Sequence, residues 1–151
     1  MNSLDGEIRN GRHLQQVRVY YEDTDFSGIV YHASYLRFME RGRSDFLRLA
    51  GVGHDALAAG EFGEPLMFAV KRLTVEFLKP ARIDEVLTVE TRIAELGGAH
   101  VALAQTVRRE TDALLTADID VVLVNAAGRP RRFPAEVRRR LQTTVDDLTR
   151  D

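Results

Sequence analysis

The chain has 151 residues, a length that fits one domain of ordinary size. Its composition, 44% hydrophobic and 29% charged, is typical of a soluble globular protein with a substantial core. A formal net charge of -2 gives no indication of nucleic-acid binding, and the absence of cysteine excludes disulfides, thiolate catalysis and cysteine-bound metal.

The sequence contains no apolar run that approaches the roughly 20 residues needed to cross a bilayer. Residues 1–16 also lack the apolar stretch of a signal peptide. We therefore expect a cytoplasmic protein without a transmembrane segment.

The first half of the chain predicts a strand followed by a long helix. The polar residues 1–16 predict a flexible N-terminal arm, and the strand after it places Val17, Val19 and Tyr21 on one face. Gly51 marks the expected end of the helix. The apolar stripe of this helix repeats every three or four residues and consists of Tyr35, Phe38, Met39, Gly42, Phe46 and Leu49.

The second half of the chain changes to a period of two after a short helical turn over residues 54–60. A break in phase near Lys71 predicts a β-bulge. Four strands are expected, with inner faces formed by Leu73, Val75 and Phe77, then Leu87, Val89, Thr91 and Ile93, then Val101, Leu103, Gln105 and Val107, and finally Leu115, Ala117, Ile119, Val121 and Leu123.

Tight turns between consecutive strands imply antiparallel pairing, so we expect an α+β fold with a sheet of about five strands and one long helix over its inner face. Residues 17–134 form the predicted domain, and residues 135–151 form a C-terminal helix and tail. Because sheet edges without a partner tend to pair with another chain, this architecture predicts a homodimer or homotetramer.

Reactive side chains are concentrated between the first strand and the long helix, in the segment 21–35, which reads YEDTDFSGIVYHASY. A corner of this kind can expose a carboxylate and aim the free N–H groups of a helix start at a developing negative charge. From the residues alone, Asp25 is either a carboxylate that attacks a substrate or activates water, or an ordinary turn residue. For Asp23 a structural role in fixing the loop is favoured.

This corner and the residues Phe38–Arg41 after it resemble the hotdog-fold acyl-CoA thioesterases of the 4-hydroxybenzoyl-CoA thioesterase type, and most of all the subgroup associated with the Tol–Pal cell-envelope system. The segments Val70–Phe77 and Pro80–Arg82 are also similar to that subgroup. The resemblance runs from about Val17 to about Pro134. It implies an antiparallel sheet wrapped around one long central helix, and dimers that join two such sheets and often pair into tetramers.

The resemblance also implies a thioester hydrolase that converts acyl-CoA to free acid and coenzyme A, with no metal and no cofactor beyond the coenzyme A of the substrate. Asp25 would be the catalytic carboxylate, as nucleophile or as general base, and Tyr21 and His32 would share the active site. The helix start near His32 is the implied oxyanion site. Arg72 and Arg82 flank the strand that is similar to this family and are candidate contacts for the phosphates of coenzyme A.

Two other functions are weighed against this one. A hotdog hydratase or dehydratase acting on acyl thioesters is disfavoured by the corner centred on Asp25. A non-catalytic module of the envelope system that binds acyl-CoA or a partner is disfavoured because Asp25, Tyr21 and His32 occur together. An acyl carrier protein stays open as the thioester donor, and so does the acyl preference.

A peripheral position at the inner membrane is a further expectation, since the run Arg138–Arg140 could contact acidic lipid. Asp146 and Asp147 follow closely and instead favour a solvated helix face.

Overall fold

The structure is a computed structural model in which residues 3–148 are described. Within this range the strands are Glu7–Arg9 (β1), Arg12–Arg18 (β2), Leu66–Phe77 (β3), Val86–Leu96 (β4), His100–Arg109 (β5), Asp112–Asn125 (β6) and Pro130–Arg131 (β7). The α-helices are His32–Leu49 (α1), His54–Ala58 (α2) and Ala135–Leu148 (α3), and short 3₁₀ turns cover Ser3–Asp5 and Tyr21–Asp23.

All the strands belong to one antiparallel sheet with the order β1-β2-β4-β5-β6-β3, and β7 pairs with β6. The α+β prediction is therefore confirmed. The expected five strands correspond to the five long ones, β2 to β6. The short strands β1 and β7, which extend the sheet at its margins, were not predicted.

The predicted arm over residues 1–16 is wrong, because β1 and most of β2 lie within it. The inner face of β2 carries polar residues, which hide the alternation that marks a half-buried strand. His13 is fully buried and its ring lies 6.2 Å from that of Phe46 on α1. Gln15 donates a hydrogen bond of 2.6 Å to the carboxylate of Asp45, also on α1. Polar groups on the helix thus satisfy the polar groups of the strand.

The core lies between α1 and the inner faces of β4, β5 and β6, where the predicted alternation is confirmed throughout. Two of these inner-face residues are polar, Thr91 and Gln105. The side-chain amide of Gln105 donates to the carbonyl of Met39 at 3.0 Å and to the hydroxyl of Thr91 at 2.9 Å. Gly42 lies beside this pair, and the absence of a side chain there lets α1 approach the sheet closely.

The helix α1 ends as predicted. Gly51 follows its last turn with a φ of 91°, a left-handed conformation that glycine adopts without strain. The predicted stripe is buried from Tyr35 to Phe46, whereas Leu49, in the last turn, is 38% exposed.

Strand β3 lies at one edge of the sheet, and the register with β6 shifts between Val70 and Arg72, which confirms the predicted bulge. Its inner-face residues Val70, Leu73 and Phe77 pair with buried residues of β6 but are themselves 37% to 52% exposed. Met67, which pairs with Val124 on the other face, is 53% exposed. Among the described residues, the outer edge of β3 has no strand beside it.

The C-terminal helix α3 packs against β4 and is tied to the turn after α1. Arg140 donates a hydrogen bond to the carbonyl of Gly51 at 2.6 Å and lies 5.2 Å from the ring of Phe62. Arg138 donates to the carbonyl of Gly97. In the described part of the chain, no helix has the length and apolar character required to span a membrane.

Candidate active site

The corner between β2 and α1 is a small hairpin. Thr24 and Val30 form an antiparallel bridge at its base. At its tip, the N–H of Gly28 donates to the carbonyl of Asp25 at 3.0 Å, and the N–H of Asp25 donates to the carbonyl of Ile29 at 3.0 Å. Gly28 has a φ of 84°, so this turn favours glycine at that position.

Asp23 fixes this hairpin to the start of the helix. Its side chain is buried and accepts a hydrogen bond of 2.8 Å from the N–H of Tyr20. Its main-chain carbonyl accepts from the N–H of Tyr31 and from the hydroxyl of Ser34, each at 2.9 Å. A guanidinium nitrogen of Arg37 lies 3.7 Å from the carboxylate. These contacts support the structural role that the sequence favoured for Asp23.

Asp25 is exposed at the tip of the hairpin. One carboxylate oxygen accepts hydrogen bonds from the hydroxyl of Ser27 and, at 2.8 Å, from the N–H of Ser27. The hydroxyl and then the N–H of Ser27 hold the pKa of Asp25 below its usual range, because they stabilise the charged form. The carboxylate is therefore ionised at neutral pH and available as a base or a nucleophile.

Asp25 lines a cavity of about 350 Å³, here called the corner pocket. His32, the first residue of α1, lines the same pocket, and its ring lies 4.4 Å from that of Tyr31 and 6.4 Å from that of Phe77. The first N–H groups of a helix have no partner within the helix and lie at the positive end of its dipole. The corner pocket thus combines an anionic carboxylate with groups that can polarise a carbonyl oxygen.

The structure brings together only some of the predicted site residues. Asp25 and His32 line the corner pocket, and Arg82 is adjacent because it forms a β-bridge with Ile29. Arg72 lies within β3, opposite Asp120 of β6, and does not line the pocket.

Tyr21 is 83% exposed and also does not line the corner pocket. Its predicted place on the inner face of a strand is wrong, because β2 ends at Arg18 and the chain then enters the 3₁₀ turn.

Sequence reasoning missed several residues of this site. Ser27 could have been recognised from the Asp-x-Ser spacing, which favours a local turn with a hydrogen bond to the carboxylate. Tyr35 and the segment 77–80 line the corner pocket, although they were interpreted only as core and strand residues. Burial raises the pKa of Tyr35, which is neutral at physiological pH. No sequence signal brings residues 77–80 next to Asp25, because only the tertiary fold does so.

The described residues include no group of three or more His, Cys, Asp or Glu side chains placed to hold a metal ion together. At the corner, the carboxylates of Asp23 and Asp25 accept hydrogen bonds from different neighbours, Tyr20 and Ser27.

The chain is similar to several known proteins. Residues 27–116 match the thioesterase superfamily. The acyl-CoA thioesterase YbgC of Haemophilus influenzae is 40% identical over 123 residues, which cover 81% of this chain and 88% of that protein. The acyl-CoA thioester hydrolase YbgC of Escherichia coli O6:H1 is also 40% identical over 123 residues, covering 80% of this chain and 89% of that protein.

Among solved structures, a probable thioesterase from Bartonella henselae superimposes with a TM-score of 0.79 at 48% identity, covering 82% of this chain and 99% of that one. The chain belongs to the thioesterase superfamily and has the hotdog fold that its sequence resembles.

Proposed function

We propose that this protein hydrolyses acyl-CoA thioesters to free acid and coenzyme A in the corner pocket. The observation that carries the proposal is the ionised carboxylate of Asp25 in the same pocket as the first turn of α1. Its curated relatives named YbgC are acyl-CoA thioesterases, which supports the same chemistry here.

The reaction has two routes that Asp25 can support. As a nucleophile, its carboxylate adds to the thioester carbonyl and the C–S bond breaks, giving an anhydride that water then hydrolyses. As a general base, it takes a proton from water while the oxygen of that water adds to the carbonyl. In both routes the carbonyl oxygen becomes negative near the N–H groups around His32, and coenzyme A leaves as a thiolate that takes up a proton.

For coenzyme A we assign Arg82 as a phosphate contact, since it lies beside the corner through its bridge to Ile29. Arg82→Gln is expected to raise KM for acyl-CoA severalfold and to leave kcat nearly unchanged. Arg129→Gln, another exposed arginine in the turn before β7, is the matched control and should leave KM unchanged. The same test with an acyl-pantetheine, which lacks the nucleotide, shows whether Arg82 acts through the phosphates of coenzyme A, since Arg82→Gln should then leave KM for the acyl-pantetheine unchanged.

We infer that the chain forms a homodimer through the open edge of β3, and that such dimers can pair into tetramers. The register that we infer is antiparallel and centred on Thr74, because it places Arg72 opposite Glu76 of the partner subunit and opposite charges then meet across the interface. Sedimentation at micromolar concentration should show a dimer or tetramer. Arg72→Glu should weaken the association of the two subunits, and the double variant with Glu76→Arg should restore that association. A stable monomer of the parent protein contradicts this inference.

A place in the Tol–Pal envelope system at the inner membrane belongs to this proposal through the sequence resemblance alone. The arginines of α3 give it little support, because Arg138 and Arg140 hydrogen-bond to main-chain carbonyls and Arg139 pairs with Glu136. Flotation with anionic vesicles tests the membrane part directly.

Release of free thiol from a series of acyl-CoA substrates tests the central proposal. Turnover that disappears in Asp25→Asn supports it. Hydration of an enoyl-CoA without thiol release, or tight binding of acyl-CoA without turnover, contradicts it.

A further inference from the structure

Residues 78–85, here called the pocket turn, connect β3 to β4 and lie against the corner. The first three of them line the corner pocket. The carbonyl of Ala81 accepts a hydrogen bond of 2.8 Å from the N–H of Val30 at the base of the corner hairpin, and Arg82 forms its β-bridge with Ile29. The pocket turn thus provides one wall of the pocket and carries Arg82, the proposed contact for coenzyme A.

The pocket turn is held by an ion pair between Glu85, at its end, and Arg109, the last residue of β5. The Nη1 group of Arg109 donates to the carbonyl of Pro80 at 3.1 Å and to the two carboxylate oxygens of Glu85 at 3.0 and 3.2 Å. Oε1 of Glu85 also accepts the N–H of Arg82 at 2.6 Å. The ion pair therefore ties both sides of the turn to a strand in the interior of the sheet.

This ion pair is better shielded from water than a second pair at the turn. The side chains of Arg109 and Glu85 are 30% and 29% exposed, whereas those of Lys79 and Asp112 are 55% and 53% exposed. Exposed pairs contribute little to stability, because water and salt screen them. Hydrogen bonds between charged partners are stronger when that screening is reduced. We therefore expect the pair of Arg109 and Glu85 to determine the position of the pocket turn.

The two charges also lie close to Tyr35, a residue that lines the corner pocket. Burial is the main cause that raises the pKa of Tyr35, while the backbone of Ala81 and the charge of Arg109 lower this pKa and the charge of Glu85 raises it. Neither Glu85 nor Arg109 lines the pocket itself. Each is therefore expected to act through the groups that it holds.

The corner hairpin depends less on this ion pair, because it has contacts of its own. Asp23 fixes the hairpin to the start of α1, and Ser27 holds the carboxylate of Asp25. The N–H of Arg82, by contrast, is bound by the carboxylate that Arg109 fixes. Loss of the ion pair should therefore displace Arg82 more than Asp25.

We propose that Glu85 and Arg109 are positioning residues for coenzyme A, and that their ion pair holds Arg82 where its guanidinium meets the phosphates of the substrate. This inference rests on the proposed thioesterase function and deepens it, because it names the residues on which recognition of the coenzyme A portion depends. Loss of either partner should weaken the binding of acyl-CoA and leave the chemical step nearly unchanged.

The first test removes each partner separately and uses the neighbouring ion pair as its control. Glu90 and Arg108 also join β4 to β5, at 3.8 Å, and in the described structure neither has a hydrogen bond or ion pair with the pocket turn. Arg109→Gln and Glu85→Ala should each raise KM for acyl-CoA about threefold or more, with kcat changed by less than about twofold. Arg108→Gln and Glu90→Ala should leave both constants unchanged.

The direction of the effect distinguishes positioning from direct attraction of the phosphates. Arg109→Gln removes a positive charge and Glu85→Ala removes a negative one, so a direct effect of charge on the phosphates would change KM in opposite directions. If the ion pair positions Arg82, both substitutions raise KM. A lower KM in Glu85→Ala, or an unchanged KM in Arg109→Gln, overturns the proposal.

The second test asks whether the ion pair acts through Arg82. Adding Arg109→Gln to Arg82→Gln should raise KM no further, because the group that the pair positions is already absent. KM for an acyl-pantetheine, which lacks the phosphates, should be the same in the parent and in Arg109→Gln. A role in stability alone would lower the midpoint of urea unfolding without this selectivity for coenzyme A. Increases in KM that multiply in the double variant, or an equal increase for the acyl-pantetheine, overturn the proposal.

Failure of this inference is distinct from failure of the proposed function. A parent protein that releases no thiol from any acyl-CoA contradicts the thioesterase proposal. Thiol release with a KM that Arg82→Gln raises and Arg109→Gln does not alter contradicts only the positioning role of the ion pair.

Discussion

Replacing Asp25 by asparagine tests the proposed chemistry with little change in structure. The asparagine side chain would keep an oxygen that can accept both hydrogen bonds from Ser27, but it would be neither an anion nor a base. Because Asp25 is exposed, the free energy of unfolding should change by less than about 0.5 kcal/mol. Loss of general-base catalysis should reduce kcat about 10²- to 10⁴-fold, which corresponds to about 3 to 5 kcal/mol in the activation barrier.

Asp23→Asn is the matched control, because it makes the same chemical change two residues away. The carboxylate of Asp23 is buried and accepts a hydrogen bond from Tyr20, so the substitution should cost about 1 to 3 kcal/mol of folding stability. Since this carboxylate does not line the corner pocket, kcat should fall less than about tenfold. The two variants should therefore show opposite patterns, with Asp25→Asn stable and inactive and Asp23→Asn less stable and active.

The measurements are thiol release at saturating acyl-CoA, urea unfolding, and calorimetric binding of a CoA thioether that cannot be hydrolysed. Binding of the thioether should change little in Asp25→Asn, because other surfaces hold the acyl group and the coenzyme. A folded Asp25→Asn protein with nearly parental turnover would refute the mechanism. A comparable loss of turnover in both variants would refute the division of roles between the two aspartates.

Four other perturbations test separate parts of the structure. Ser27→Ala should raise the pKa of Asp25 and shift the acidic limb of the rate profile to higher pH; an unshifted limb contradicts the assignment of Asp25 as the ionised group. Burial lowers the pKa of His13. The contribution of His13 to the free energy of unfolding should therefore be fully present above about pH 6.5 and fall below that pH by up to about 1.4 kcal/mol per pH unit. Urea unfolding of His13→Leu should lack this pH-dependent component. Gly42→Ala should lose about 1 kcal/mol in urea unfolding, because the new methyl group would lie 2.9 Å from Val89 and the resulting overpacking exceeds the gain in helix propensity. Exhaustive chelation should leave thiol release unchanged, because Asp25 itself supplies the base; loss of activity that one divalent ion restores would contradict this.

The sequence by itself determined the sheet of β3 to β6, the long helix and the position of the reactive corner. The apolar alternation of β4, β5 and β6 was sufficient to predict these strands, because they are buried on one face and the period of two appears directly in the residues. The reactive corner was located in the same way, since it combines a turn, a carboxylate and a helix start within a few residues, whereas the choice of Asp25 as the catalytic carboxylate is what the family resemblance implies. These are local properties, and a local pattern can reveal them.

Properties that depend on distant contacts were decided only by the tertiary structure. The strand around His13 escaped prediction because its inner face is polar and is satisfied by α1. Tyr21 was misplaced because the strand ends three residues earlier than its apolar alternation suggested, and nothing local marks that end.

The lining of the corner pocket was also decided only by the tertiary structure. Residues 77–80 are more than fifty positions from Asp25 in the sequence, and the pairing of β3 with β6 at the sheet edge brings them beside the helix start. The arginines show the same limit, since Arg72 and Arg82 are equivalent by composition, yet a single β-bridge to Ile29 places only Arg82 at the corner. A sequence pattern specifies which face of an element is buried, whereas packing between elements decides which exposed groups meet.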